Sequence, residues 1–285
     1  MWVLFASINP VMEALRSLFV KKASRITEPV IISWCNNVIP LLIFSPLLFF
    51  IDLKFNGWFF FGVIGSAILN LVATILYMNS IKHGQISKVM PMMSFSPMFL
   101  LFTSPLMVGE FPHFWGIVGI ILIVAGSYLL NITSSSGGLF APFKSLLKEK
   151  GTRYMFFVSV IWGFSANFDK ISINNSSNLQ HITFVNLFIF IGMTIINLYL
   201  GNFKKKNFAG NYKNLAIIST FTSGAFFFHM TALSMTLVAY VVAMKRLSGI
   251  MSVILGHFIL KEPGIEKRFL GASIMFAGVL LILFS

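Results

Sequence analysis

Two stretches decide the fold of this chain: Gly109–Leu130, GEFPHFWGIVGIILIVAGSYLL, and Leu260–Leu283, LKEPGIEKRFLGASIMFAGVLLIL. Each places a glutamate shortly before an apolar run that contains spaced glycines and the pair Ala-Gly. They align at one offset of 152 residues, which pairs Glu110 with Glu262, Gly119 with Gly271 and Gly126 with Gly278. A chain rich in Leu and Phe gives scattered apolar matches, but paired Glu and Gly positions at a fixed offset indicate a duplicated segment.

The same offset of 152 residues aligns the two halves of the chain over most of their length. It pairs Phe5 with Phe157, Ser7 with Ser159, Ala14 with Ala166, Met78 with Met230, Val89 with Val241, Met92 with Met244, and Ser96 with Ser248. We therefore predict two five-helix repeats, residues 1–133 and 153–285, with a polar and basic linker at 134–152. Because five is odd, the second repeat enters the membrane from the opposite side, which makes an inverted repeat with a pseudo-two-fold axis in the membrane plane.

Composition places the chain in a lipid bilayer. It is 57% hydrophobic and 10% charged, with 33 Phe in 285 residues. A bilayer core about 30 Å thick needs roughly 20 helical residues per crossing. This predicts an all-α integral membrane protein with ten transmembrane helices, at about 2–20, 29–51, 57–81, 85–107, 113–132, 153–173, 181–201, 212–233, 236–260 and 267–284. Trp2 opens a first segment that carries Glu13 and Arg16 inside it, so we expect it to be a retained helix and not a cleaved signal.

The net charge is +13, and the basic residues are distributed unevenly between the loops. The cations that follow odd-numbered segments are Lys21, Lys22, Arg25, Lys82, Lys144, Lys148, Lys150, Arg153, Lys204, Lys205, Lys206, Lys213, Lys261, Lys267 and Arg268. The loops after even-numbered segments hold only Lys54. Since Lys and Arg in short loops stay cytoplasmic, we expect a multi-pass protein of a bacterial inner membrane with both termini on the non-cytoplasmic side. No loop carries a nucleic-acid recognition motif, so a nucleic-acid partner is not expected.

The two opening stretches resemble the pattern that closes each half of EamA-type proteins of the drug/metabolite transporter superfamily. "SVIWGFSANFDK", from Ser159, is similar to the opening helix of that family. The first repeat departs from the pattern, because Asn9 and Pro10 stand where the second has Trp162 and Gly163. The resemblance covers essentially the whole chain and implies a secondary transporter that works by alternating access, with the lipid bilayer and a small-molecule substrate as partners. It does not name the substrate.

Lys245 and Arg246 stand side by side within the ninth apolar segment. A charge at the bilayer centre costs about 2.5–3.5 kcal/mol even on insertion scales, so it normally faces a partner or an aqueous cavity. We interpret the pair as the holder of an anionic group, either carboxylate or phosphate, because Arg grips such groups in a bidentate manner and Lys supplies a point charge. The alternative is an internal salt bridge with Glu13 or Asp169.

Other polar or aromatic residues of the apolar segments are further candidates for substrate binding. They are Trp34, Asn37, Tyr77, Asn79, Lys88, His229 and Tyr240. For each of these, an interhelical hydrogen bond is an equally good interpretation. Glu13 and Asp169 are candidates for proton coupling, since a carboxyl group buried in the membrane can carry a proton. Glu13 and Arg16 are also spaced to pair on one helix face.

Three transport functions remain open at this stage. The first is transport of a small anionic metabolite. The second is proton-coupled export of amino acids or related compounds through Glu13, and the third is flipping of an anionic lipid. An enzyme is not expected, because the five histidines form no H-E-x-x-H motif and the aspartates are only Asp52 and Asp169. No cofactor or metal site is predicted, and a homodimeric assembly is left open.

Overall fold

The computed structural model of the protein describes residues 1–24, 26–132, 138–204, 208, 210–260 and 268–285. Several predicted features lie outside these residues: the loop cations Arg25, Lys205, Lys206, Lys261 and Lys267, and the repeat-related Glu262.

The described residues form fourteen α helices and one 3₁₀ turn, Leu48–Phe50. The α helices are α1 (Trp2–Ala23), α2 (Pro29–Cys35), α3 (Val38–Leu47), α4 (Gly57–His83), α5 (Ile86–Met93), α6 (Ser96–Met107), α7 (Phe114–Asn131), α8 (Ala141–Lys148), α9 (Lys150–Asn174), α10 (Asn178–Tyr199), α11 (Tyr212–Met235), α12 (Val238–Lys245), α13 (Ser248–Leu260) and α14 (Phe269–Leu283). The predicted all-helical membrane fold is confirmed.

Each of the ten predicted segments coincides with a helix or a pair of half-helices. Among the described residues, eight stretches are long and apolar enough to cross a membrane, and α14 is a shorter apolar helix. The sixth segment corresponds to α9, which is 25 residues long but carries Lys150, Arg153, Asp169 and Lys170. The linker predicted at 134–152 contains a helix that the sequence did not predict, α8.

The first compact unit comprises Met1–Leu71 and Phe168–Ser234. In its core, Ile31, Ile32 and Cys35 of α2 pack with Leu215 and Ile218 of α11. Two hydrogen bonds join neighbouring helices of this unit. The Ser219 hydroxyl accepts from the backbone N–H of Ile39 at 3.0 Å, and the Asn9 amide donates to the carbonyl of Ala225 at 2.8 Å. Both bonds satisfy groups that find no water in a bilayer core.

The second compact unit comprises Val72–Asn167 and Met235–Ser285. Its α7 and α14 pack along most of their length. A Cβ atom on Gly119 would lie 2.6 Å from the carbonyl oxygen of Gly278, and one on Gly126 would lie 2.5 Å from that of Gly271. The earlier glycine of one helix meets the later glycine of the other, so the helices are antiparallel. Because Gly119 and Gly126 are the repeat equivalents of Gly271 and Gly278, this antiparallel contact is the direct signature of an inverted repeat.

Gly126→Ala should lower stability strongly, because the new methyl group meets the backbone of α14, which cannot rotate away. We expect a loss of about 1–3 kcal/mol, as for other overpacked interiors, measured as a lowered thermal unfolding midpoint in detergent. Gly249→Ala is the matched control, since its Cβ would meet only the flexible Leu130 side chain at 3.4 Å. Equal effects of the two substitutions would show that α7 and α14 do not depend on this close approach.

Candidate functional site

Three predicted transmembrane segments are interrupted and not continuous. The interruptions fall at Asn36–Asn37, Ser94–Phe95 and Arg246–Leu247. The second and third are repeat equivalents, because Ser94 plus 152 is Arg246. Discontinuous helices place backbone groups and half-helix ends inside the membrane, and in transporters such ends surround the substrate.

The breaks at Ser94 and Arg246 share one backbone geometry. The N–H of Ser94 donates to Pro91 at 3.2 Å, and that of Arg246 donates to Ala243 at 3.0 Å. These i to i−3 bonds tighten the chain into a short 3₁₀ turn. Proline cannot be the common cause, because residues 238–260, which form α12 and α13, contain none.

Side chains join the two breaks inside the second unit. The Arg246 guanidinium donates from Nη2 to the Ser96 hydroxyl, the first residue of α6. The Ser94 hydroxyl lies 2.8 Å from that of Ser127 on α7. Lys245 and Arg246 are both half-buried. One member of the predicted cationic pair is therefore tied to the neighbouring broken helix, close to the start of its second half.

Glu110 holds the other end of α12. Its Oε2 accepts from the backbone N–H of Val238 at 2.7 Å, and Val238 is the first residue of α12. A carboxylate at a helix N-terminus satisfies an unpaired donor and interacts favourably with the helix dipole. The glutamate that marks the repeat in sequence therefore serves to fix the half-helix that ends at Lys245.

Tyr240 anchors the middle of α12. It is 6% exposed, its ring lies directly against Gly116 of α7, and its hydroxyl accepts from Ser285 at 3.0 Å. These contacts place Tyr240 in the packing of the site.

The other candidate binding residues of the second unit, Tyr77, Asn79 and Lys88, each contact a different partner. The ring of Tyr77 lies 6.3 Å from that of Trp162, between centroids. The Asn79 amide donates to the carbonyl of Ile75 on its own helix at 3.0 Å. Lys88 forms an ion pair with Glu149 at 2.7 Å.

Trp34, Asn37 and His229 belong to the first unit. The indole N–H of Trp34 donates to Thr194 at 2.7 Å, and its ring packs against three phenylalanines, Phe190, Phe203 and Phe208. Asn37 is buried at the first break, where its amide donates to the carbonyl of Ser33 at 2.9 Å. His229 is 7% exposed. The predicted set is therefore divided between the two units, and Trp34 has the contacts of a packing residue.

The two predicted proton carriers also lie in the first unit. Glu13 forms an ion pair with Arg16 at 2.6 Å, which is the spacing that the sequence predicted. Asp169 accepts a hydrogen bond from Ser66 at Oδ1, and His181 Nε2 lies 3.2 Å from the same oxygen.

Ser66 and His181 carry no motif that identifies them in sequence. The available signal for His181 was its position just after the short loop that joins α9 to α10. Asp169 precedes the end of α9 by five residues and His181 follows the start of α10 by three, which brings the two side chains together when the helices pair as neighbours.

Glu110→Ala should destabilise the fold and the position of α12. Loss of a helix-capping acceptor typically costs about 0.5–2 kcal/mol, and we expect a matching fall in the thermal unfolding midpoint, with Glu110→Gln intermediate because its amide oxygen still accepts. Glu28→Ala is the matched control, because Glu28 caps α2 without a side-chain hydrogen bond. A Glu110→Ala protein as stable as Glu28→Ala would show that the carboxylate does not hold α12.

Comparison with known proteins gives one family and one fold. The sequence profile of the EamA-like transporter family matches residues 1–132 and 150–284. A search of curated proteins finds no significant match. Among solved structures, a crystal structure described only as that of a protein has a TM-score of 0.78 at 11% identity, over 99% of this chain and 97% of the other. At that identity the likeness shows the fold alone.

Proposed function

Because the chain belongs to the EamA-like transporter family, we propose that it carries a small anionic metabolite, a carboxylate or a phosphate, across the membrane by alternating access. The family is one of secondary transporters and not of enzymes, and it implies a small-molecule substrate and a multi-pass membrane location. Inverted repeats support the mechanism, since two halves of similar structure can exchange conformations and expose a site to each side in turn.

The observation that carries the anionic assignment is the position of Lys245 and Arg246 at a helix break. Arg246 is bonded to Ser96 at the start of α6, and Ser248, the repeat equivalent of Ser96, starts α13. Each half-helix presents backbone N–H groups and the positive end of its dipole at that start. A guanidinium, an ammonium and two helix N-termini form an environment that favours negative charge. Glu13, by contrast, is paired with Arg16, which favours the anion over export coupled through Glu13.

Lys245→Gln and Arg246→Gln should each weaken anion binding by about tenfold or more, which corresponds to about 1.4 kcal/mol. The measurement is thermal stabilisation of the purified protein in detergent by inorganic phosphate and by a panel of small carboxylates and organic phosphates. Ligand at about 100 times its dissociation constant stabilises the folded state by about 2.7 kcal/mol. Lys144→Gln is the matched control, because Lys144 is an exposed cation on α8.

Ser96→Ala tests the position of the Arg246 side chain apart from its charge, because it removes the hydrogen-bond partner of Arg246 and keeps the cation. We expect folded Ser96→Ala protein with partly reduced binding. Equal stabilisation of the parent, Lys245→Gln and Arg246→Gln proteins would overturn the anionic assignment. Stabilisation by anionic lipid headgroups in nanodiscs, without any by soluble anions, would instead favour a lipid flippase.

The charge distribution predicts the membrane orientation. In a Cys35→Ala background, which removes the single cysteine, a cysteine at Asp52→Cys should react with a membrane-impermeant maleimide on intact cells. A cysteine at Lys144→Cys should react only after permeabilisation, because its basic loop is expected to be cytoplasmic. Both positions are exposed. The opposite labelling pattern would reverse the predicted orientation of the termini.

A further inference from the structure

A buried acid–base pair lies in the first unit. The side chains of Asp169 and His181 are 9% and 0% exposed. Ser66 donates to Oδ1 of Asp169, and His181 Nε2 lies at ion-pair distance from the same oxygen, 3.2 Å. From this geometry we propose that the Asp169–His181 pair binds and releases one proton, and that this proton is the coupling ion of the transport cycle.

The charge beside the pair is already balanced without a proton on His181. Lys170 follows Asp169 in sequence, is 7% exposed, and donates from Nζ to the carbonyl of Leu233 at 2.7 Å. That carbonyl belongs to the last turn of α11, where the helix dipole stabilises a cation. The charges of an ionised Asp169 and an ionised Lys170 sum to zero, so the net charge of the cluster changes by one unit when His181 takes a proton.

Other titratable groups of the first unit lie on α1, α2, α10 and α11. On α1, Glu13 and Arg16 pair with each other at 2.6 Å. The other titratable groups on helices of the first unit are Lys21, Lys22, Cys35, Tyr199, Tyr212, Lys213 and His229. The sequence of α3 contains no titratable residue, and neither does Gly57–Leu71 of α4, which contributes Ser66 and Asn70. Histidine is the side chain whose unperturbed pKa lies nearest physiological pH, and His181 lies beside a carboxylate.

The imidazole has a nitrogen that can accept the proton. Within the described part of the chain, both ring nitrogens of His181 are buried without a hydrogen-bond partner, and Nε2 is the one at ion-pair distance from Asp169. A solvent proton adds to one ring nitrogen of neutral His181, and the resulting imidazolium is stabilised by the Asp169 carboxylate as a charge-assisted pair. Release returns the proton to water, and no other bond is formed or broken.

The pair also lies close to a polar end of the unit. His181 is in the first turn of α10, four residues after the N-cap Ser177. The neighbouring Gln180 bonds both the backbone N–H and the carbonyl of Lys54, at 3.0 and 2.8 Å. These bonds join the start of α10, next to His181, to Lys54, which is exposed.

The test is a pH titration of the protein labelled with ¹⁵N-histidine in detergent micelles, followed by NMR of the imidazole nitrogens. His181→Gln assigns the signal, and His113→Gln serves as the matched control. We expect the His181 nitrogen signals to change as the imidazole takes up a proton, because a carboxylate lies 3.2 Å from Nε2. In Asp169→Asn the response of these signals to pH should differ from that of the parent, because the carboxylate that contacts the imidazole is gone.

A His181 signal that stays in one protonation state throughout, or that titrates identically in Asp169→Asn, would overturn the proposal. If Asp169→Asn fails to fold, Ser66→Ala provides the second variant, since it removes the hydroxyl that positions Oδ1 and keeps both titrating groups. If His181→Gln fails to fold, the signal is assigned by elimination with the other four His→Gln variants.

The coupling role rests on the proposed transport function, whereas the titration does not, because it needs no substrate. Proteoliposomes loaded with a pH-sensitive dye then report proton flux when the anion identified by thermal stabilisation is added. Proton flux in the parent and its loss in His181→Gln, with anion binding retained, would support coupling. Titration without proton flux would overturn the coupling role and leave the anion assignment standing.

Discussion

The close approach of α7 and α14 through glycines is the constraint on which the second unit depends. In lipid there is little hydrophobic gain from joining two apolar helices, so tight van der Waals contact has to hold them together. Gly119 and Gly126 supply that contact by bringing the backbone of α7 against the carbonyls of Gly278 and Gly271. Because each helix closes one repeat, their antiparallel packing requires the two repeats to run through the membrane in opposite directions.

The second constraint is that every half-helix end needs partners inside the membrane. Backbone groups freed by a break cannot bond to water there, and the chain supplies side chains in their place. Ser219 accepts from Ile39 in α3, and Glu110 accepts from Val238 in α12. The repeat preserves one of these breaks and varies the residue in it, since Ser94 occupies in the first half the position that Arg246 occupies in the second. A symmetric scaffold thereby presents an asymmetric chemical surface.

Buried charge in this protein is compensated by more than ion pairs. Counting acids and bases along the sequence leaves an excess of cations in the membrane segments, which suggests that several must face water or substrate. Lys88 is paired with Glu149 from the linker region, and Lys170 is bonded to a carbonyl at the end of α11. The C-terminus of α11 stabilises the positive charge of Lys170, as the Glu149 carboxylate stabilises that of Lys88. The excess of cations is therefore compensated in part by backbone dipoles, which a count of side chains does not include.

The sequence by itself determined the all-helical membrane fold, the family, the ten apolar segments and the pairing of Glu13 with Arg16, because these follow from hydropathy, a fixed repeat offset and spacing along one helix. Tertiary structure decided the rest. The breaks at Asn36, Ser94 and Arg246 have no common residue signal, since local backbone geometry there is set by packing. Trp34 and Tyr240 carry the residue types of binding sites but are held by Thr194, Gly116 and Ser285. The contact of Asp169 with Ser66 and His181 joins three helices, and only their packing could bring those side chains together.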